Sequence, residues 1–180
     1  MGATAAAVAF VPVEEYLRTT YEPDADYVDG QVEERNVGEN EHSDLQGELL
    51  TVLRVNGKAW GIYAFPEQRV QVLKSRYRVP DVCVMPRSWK KTPIIHEAPL
   101  LCIEVLSPED TFSRTYVKCR DYLAMGVPAV WVFDPQERFV CIVRTEGTTE
   151  QHGGTLLLAG TEVKIDLGEV FGVLDEGRDA

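Results

Sequence analysis

The stretch Leu100-Leu-Cys-Ile-Glu-Val-Leu106 is an apolar run interrupted by a single acid, the pattern of a strand buried on both faces. Ser107 to Asp110 then reads as a helix entry, Ser113 to Met125 as a helix, and Gly126 as its stop. Val130-Trp-Val-Phe133 is a second buried strand, turning at Asp134-Pro135 into Phe139–Val143. Upstream, Ile62–Phe65, the alternating Arg69–Leu73 and the largely apolar Val79–Met85 are further strands. Leu45, Leu49, Val52 and Leu53 recur at helical spacing between Glu41 and Asn56, and Gly57 ends that helix. Before it, a short helical entry over Val13–Arg18 leads to Asp26-Tyr-Val-Asp-Gly-Gln-Val-Glu-Glu34, where Asp29-Gly30 supplies the positive φ angles of a two-residue hairpin turn. Leu156–Leu158 and Val163–Ile165 add strands before a short tail. The expected fold is α/β. It has one domain over 1–180, with a core at about 40–134, an N-terminal helix and hairpin at 13–35 and C-terminal strands at 139–171.

Composition agrees with a packed chain: 180 residues, 44% hydrophobic and 26% charged, with four widely spaced cysteines and no CxxC. Zinc sites need tighter ligand spacing, so Cys83, Cys102, Cys119 and Cys141 are expected as buried free thiols. The apolar stretch Ala3–Pro12 has no basic flank and is too short to cross a bilayer. A cytoplasmic protein without a membrane partner is the expectation.

The net charge of −11 seems to argue against nucleic acid, but it is unevenly spread. Residues 1–48 carry 2 basic and 12 acidic side chains, whereas residues 69–91 carry 7 basic side chains against Asp81 alone. The second run is either a solvated strand face or a phosphate-contacting surface.

Two acids interrupt apolar strands: Asp81 after Pro80, and Glu104. A buried carboxylate needs a hydrogen-bond network, a basic side chain or a cation. Two on neighbouring strands favour a divalent cation, because Mg²⁺ is satisfied by one or two carboxylates with water and phosphate oxygens. Lys118 shares a helix face with Arg114 and Tyr122; it is either a site residue or a solvated partner of Asp121. His42, one heptad before Leu49, falls on the apolar stripe of its helix, where the N-terminal dipole favours a neutral ring.

The ordered set Asp26-Tyr-Val-Asp-Gly-Gln-Val, His42, Val79-Pro-Asp-Val82, Ile103-Glu-Val-Leu-Ser107, Lys118 to Tyr122 and Gly126-Val-Pro-Ala-Val-Trp-Val-Phe-Asp-Pro135 resembles the Uma-type (Uma-two) putative restriction endonucleases of the PD-(D/E)XK nuclease superfamily. The resemblance spans roughly residues 15 to 171. It implies a restriction-endonuclease-like α-β-β-β-α-β core, a central mixed sheet flanked by helices. It also implies a metal-dependent endonuclease acting on DNA. By resemblance Asp81, Glu104 and the backbone carbonyl of Val105 hold Mg²⁺ or Mn²⁺, Lys118 orients a water or neutralises developing charge, and His42 and Asp26 line the site. Arg76, Arg78 and Lys90 are the expected contacts to the nucleic-acid backbone. Cutting both strands of a duplex favours a homodimer.

The sequence departs from this pattern in three places. Leu106 stands two residues after Glu104, where the superfamily carries its lysine; Asp26 replaces a usual Glu; and Ala129-Val130 replaces Glu-Tyr before Trp131. These departures keep a second reading open, a nuclease-like module that binds nucleic acid or protein without catalysis. Chemistry on other substrates has less support, since no nucleophile elbow, P-loop or dinucleotide fingerprint is present.

Overall fold

The computed structural model describes residues 10–35 and 39–176. Most of the apolar stretch Ala3–Pro12 therefore lies outside the described residues. No helix among them is long and apolar enough to cross a membrane.

After α1 (Val13–Arg18), β1 (Asp26–Val28) and β2 (Gln31–Glu33) form the expected hairpin, with Asp29 at φ 48° and Gly30 at φ 97°. Gly30 has a second reason to be glycine: a Cβ there would lie 2.3 Å from the Phe10 ring. Helix α2 (Asn40–Asn56) leads into β3 (Ile62–Pro66), and a second hairpin follows, β4 (Val70–Leu73) and β5 (Arg76–Arg78). Then come β6 (Val82–Pro86), β7 (Leu101–Val105), α3 (Phe112–Met125), β8 (Val130–Asp134) and β9 (Phe139–Arg144). The chain continues through β10 (Gly147–Gln151), β11 (Thr155–Leu157), β12 (Lys164–Asp166) and α4 (Leu167–Gly172).

Six strands make the central sheet in the order β10-β9-β8-β7-β6-β3. Only β7 and β8 run parallel, and α3 connects them. Gly126 at φ 106° closes α3, its N–H donating to Leu123 O and the Val127 N–H to Tyr122 O. The elements α2, β3, β6, β7, α3 and β8 supply the α-β-β-β-α-β order, in a mixed sheet with helices on its faces.

The alternating segment at 70–73 is a strand as expected, but it lies outside the central sheet and pairs with β5, a strand that the sequence reading missed. Together they join the N-terminal hairpin as a second antiparallel sheet, β2-β1-β5-β4. The reason lies in alternation: Val70 and Val72 point into the core on the α3 side, while the next strand puts Tyr77 against Tyr16 and Tyr27. The short tail is also more ordered than expected. Asp166 caps α4 by accepting from the Glu169 N–H (3.0 Å), and Leu167, Val170 and Phe171 are buried.

The central sheet is apolar on both faces, as the uninterrupted runs require. Leu45, Leu49 and Leu53 of α2 cover one face with Val82, Val84, Ile103 and Trp131. Cys119 and Tyr122 of α3 cover the other with Cys83, Met85, Cys102 and Val132. All four cysteines are buried free thiols, and burial pushes Cys83 up to about 12. Leu49 is fully enclosed, so Leu49→Ala should lower unfolding free energy by about 2–5 kcal/mol in urea titration, from lost transfer energy plus the residual cavity.

Candidate active site

Register decides how the two strand acids meet. Antiparallel β6 and β7 pair Val82 with Ile103 and Cys83 with Cys102. Extending that register by one residue sets Asp81 opposite Glu104, so both side chains emerge on one face at the end of the paired region. That is the α3 face. Neighbouring positions on these strands are filled by Cys83 and Cys102, and Asp81 and Glu104 are only 2% and 4% exposed.

Each carboxylate is held from several directions. The Val105 N–H donates to Asp81 Oδ2 (2.7 Å), and the His42 Nε2 lies 3.4 Å from the same oxygen. Arg35 donates to Asp81 Oδ1. The Asp81 backbone carbonyl accepts from Gln46 Nε2 (3.0 Å) and from the Glu67 N–H (3.2 Å). Glu104 accepts from Lys118 Nζ (2.6 Å) and Tyr122 OH (2.7 Å), one on each oxygen. Lys118 and Tyr122 are four residues apart on α3, which is why one helix face reaches both oxygens.

The second sheet delivers the remaining wall. Asp26 accepts from the Val79 N–H (2.7 Å) and from Arg78 (3.1 Å), and lies 3.8 Å from Lys118 Nζ. Arg78 also donates to Asp121 on α3 (2.8 Å) and to Glu33 (2.8 Å). Arg76 bonds Asp121 (2.8 Å) and Asp29. These arginines clamp the second sheet to α3.

Electrostatics separate the two acids. Burial works to raise the Asp81 carboxyl, but the His42 hydrogen bond and the charges of Arg35, His42 and Lys118 outweigh it and hold it below the usual aspartate range. Burial dominates at Glu104, which stands well above its ordinary value; Lys118 pulls it down and the nearby Asp81 charge pushes it up. Burial works to lower the Lys118 ammonium, yet Asp26 and Glu104 raise that group to about 12. His42 is raised as well, because Asp81 outweighs burial. The neutral ring expected from the helix dipole is therefore disfavoured by the facing carboxylate.

A cleft of about 270 Å³ opens over these groups. It gathers Asp26, His42, Asp81, Glu104, Val105 and Lys118 from widely separated parts of the chain. Arg78 lines it too, but as a buried structural ion rather than an exposed phosphate contact; Arg76 is likewise committed to acids. Lys90 is exposed in the turn after β6 and is not part of the cleft wall. Lys118 pairs with Glu104 and not with Asp121, whose carboxylate belongs to the arginines.

Sequence reading missed Arg35 and Gln46. Gln46 carries no distinguishing signal, since a polar residue in the first turns of an amphipathic helix is ordinary. Arg35 had one: it is one of only 2 basic residues in the first 48.

The Uma2 family model, described as "Putative restriction endonuclease", matches residues 13–167. Among solved structures, the crystal structure of a putative nuclease belonging to DUF820 from Anabaena variabilis is similar at a TM-score of 0.78 and 24% identity, covering 89% of this chain and 97% of that one. This likeness shows the fold. A DrdV–DNA complex is similar only at a TM-score of 0.36 and 13% identity, covering 75% of this chain and 13% of that chain, too distant to carry weight. No curated protein matches.

Removing one member of a buried ion network leaves the others uncompensated. Arg78→Leu should therefore cost about 3–5 kcal/mol in chemical denaturation, since Asp26 and Asp121 would lose their buried partner. Arg76→Leu, at a more exposed position, should cost clearly less.

Proposed function

Because the chain belongs to the Uma2 family, whose description is "Putative restriction endonuclease", we propose that it hydrolyses phosphodiester bonds in DNA with Mg²⁺ or Mn²⁺ held in this cleft. The observation that carries the reading is the meeting of Asp81, Glu104 and Lys118 at one opening, from two neighbouring strands and the following helix.

The donor set fits a hard divalent cation. No three His, Cys, Asp or Glu side chains among the described residues form a ready-made ligand group, but Mg²⁺ is commonly held by one or two carboxylates plus water and phosphate. The cleft wall carries six acids (Asp26, Glu33, Glu34, Asp81, Glu104, Asp110) against Arg35, Arg78, Arg114 and Lys118, an acid-rich lining suited to a hard cation. Asp81 and Glu104 would hold the ion, with the Val105 carbonyl as the third donor. When bound, the ion supplies Lewis acidity toward the phosphate and an attacking water.

The protein's own groups do the rest. The Val105 N–H fixes the rotamer of Asp81, and Tyr122 fixes that of Glu104. Lys118, released from Glu104, donates hydrogen bonds to the attacking water or to the charge developing on the phosphate. Its ammonium starts from α3 rather than from two residues after Glu104, where Leu106 cannot serve. Asp26 keeps Lys118 charged and bridges it to the second sheet. His42 sits behind Asp81 as a hydrogen-bond partner. Exposed Arg114 at the cleft wall is better placed to meet a backbone phosphate than Arg76, Arg78 or Lys90.

A second reading, binding without catalysis, draws support from Leu106 and from the occupied state of both carboxylates, whose oxygens already accept from Arg35, Val105, Lys118 and Tyr122. Incubation with supercoiled plasmid and Mn²⁺ or Mg²⁺ separates the two. Cleavage should be seen in the wild type and be lost in Asp81→Ala and Glu104→Ala, with Lys118→Met slower by about 10²–10³-fold. Metal-independent DNA retention with no nicking, equal in all variants, would establish the binding module instead.

The raised Glu104 carboxyl sets a pH dependence. A ligand must shed its proton before it takes a cation, so a group titrating above its usual range binds metal poorly until the pH exceeds its raised value. Mn²⁺ affinity measured by calorimetry should climb as pH rises toward and through neutrality. Glu104→Gln should weaken binding and flatten that rise.

A further inference from the structure

Arg35 lies outside the acid–acid–lysine set and yet holds one of its two carboxylates. Its guanidinium donates through Nη2 to Asp81 Oδ1 and through Nη1 to Glu67 Oε1 (3.2 Å). The two oxygens of Asp81 are not equivalent. Oδ2 is committed to the Val105 N–H and faces His42, whereas Oδ1 is held by Arg35. A cation taking Asp81 as a ligand meets the Arg35 guanidinium at Oδ1, and the charge of that guanidinium opposes it at either oxygen. Oδ1 has a second lone-pair site, so the conflict is one of like charges crowded into a buried space, and an arginine cannot relieve it by losing its proton.

Once displaced, Arg35 keeps the hydrogen bond to Glu67, whose side chain is 45% exposed and therefore a weak, screened partner, beside the more distant charges of Glu104 and Asp26. The Arg35 side chain itself is 11% exposed and lines the same cleft as Lys118 and Arg114. Its planar fork matches phosphate oxygens better than an ammonium does.

We propose that Arg35 is a partner-exchanging catalytic residue: it neutralises Asp81 before the divalent cation binds, is expelled by the cation, and then donates to the scissile phosphate. This rests on the nuclease reading above. It makes Arg35 a competitor of the metal and an ally of the reaction, two roles that move in opposite directions when the side chain is removed.

The test pairs Mn²⁺ titration calorimetry with single-turnover cleavage of a DNA duplex, for the wild type, Arg35→Gln and Arg35→Lys. Arg35→Gln should bind Mn²⁺ about tenfold more tightly, the scale on which groups around a ligand tune a metal. It should also cleave about 10²-fold more slowly at saturating metal. Arg35→Lys, which keeps the charge but loses the fork, should bind Mn²⁺ nearly as the wild type does and cleave at a reduced rate. Affinity unchanged or weakened in Arg35→Gln, in a protein that still cleaves, overturns the exchange. So does faster cleavage, which would make Arg35 an inhibitory plug. Should Arg35→Gln fail to fold, Arg35→Lys decides alone, and a wild-type rate in it overturns the proposal. A wild type that binds Mn²⁺ but leaves DNA whole fails the nuclease reading itself, and the phosphate contact falls with it.

Discussion

Two carboxylates facing each other across the end of β6 and β7, in a place nearly closed to water, repel one another and lose hydration together. Most of the polar structure nearby answers that constraint. Lys118 and Tyr122 take Glu104; Arg35, His42 and the Val105 amide take Asp81. The cations that serve the acids need acids of their own, which brings in Asp26 and Glu67. A pair of apolar side chains at 81 and 104 would pack more simply, so the retention of charge here is consistent with a site that trades partners.

The basic run at 69–91 has a different meaning in three dimensions from the one it has as a string. Arg69 pairs with Asp24, Arg76 with Asp29 and Asp121, and Arg78 with Asp26, Asp121 and Glu33. Three of the first 48 residues' acids are thus matched directly by this run's arginines within or beside the second sheet, and Glu33 makes a fourth. The opposing charges of the two segments hold the N-terminal hairpin to β4, β5 and α3. Net charge along the chain could not reveal this, because the pairing spans roughly 45 residues or more.

Much of the fold was legible because its signals are local. The Asp29-Gly30 turn, the heptad stripe of α2, the Gly126 stop and the buried runs at 101–105 and 130–134 each follow from a few adjacent residues. Sheet membership was not local. Val70 and Val72 alternate like any strand, and only tertiary packing tells which sheet they join. The polar β10 gave no apolar pattern at all, while α4 had a readable signal in Asp166 and Glu169, a capping pair three residues apart. At the site, Asp81, Glu104 and Lys118 were visible as charges out of place in apolar surroundings or as part of a familiar order. Gln46 was not, since its importance comes from what it touches rather than from its neighbours in sequence, and Arg35 stood out only by its charge in an acidic stretch.

The hairpin of β4 and β5 sits in the chain between two adjacent strands of the central sheet, and it pairs backward with β1, about 50 residues earlier. The cleft is thus closed in part by contacts between segments far apart in the chain, such as Asp26 with Val79 and Asp81 with Val105. A ribosome-bound chain that has emerged only as far as β7 has Arg35 and His42 for Asp81, but neither Lys118 nor Tyr122 for Glu104. Glu104 therefore gains both of its side-chain hydrogen-bond partners only from an element that follows it in the chain.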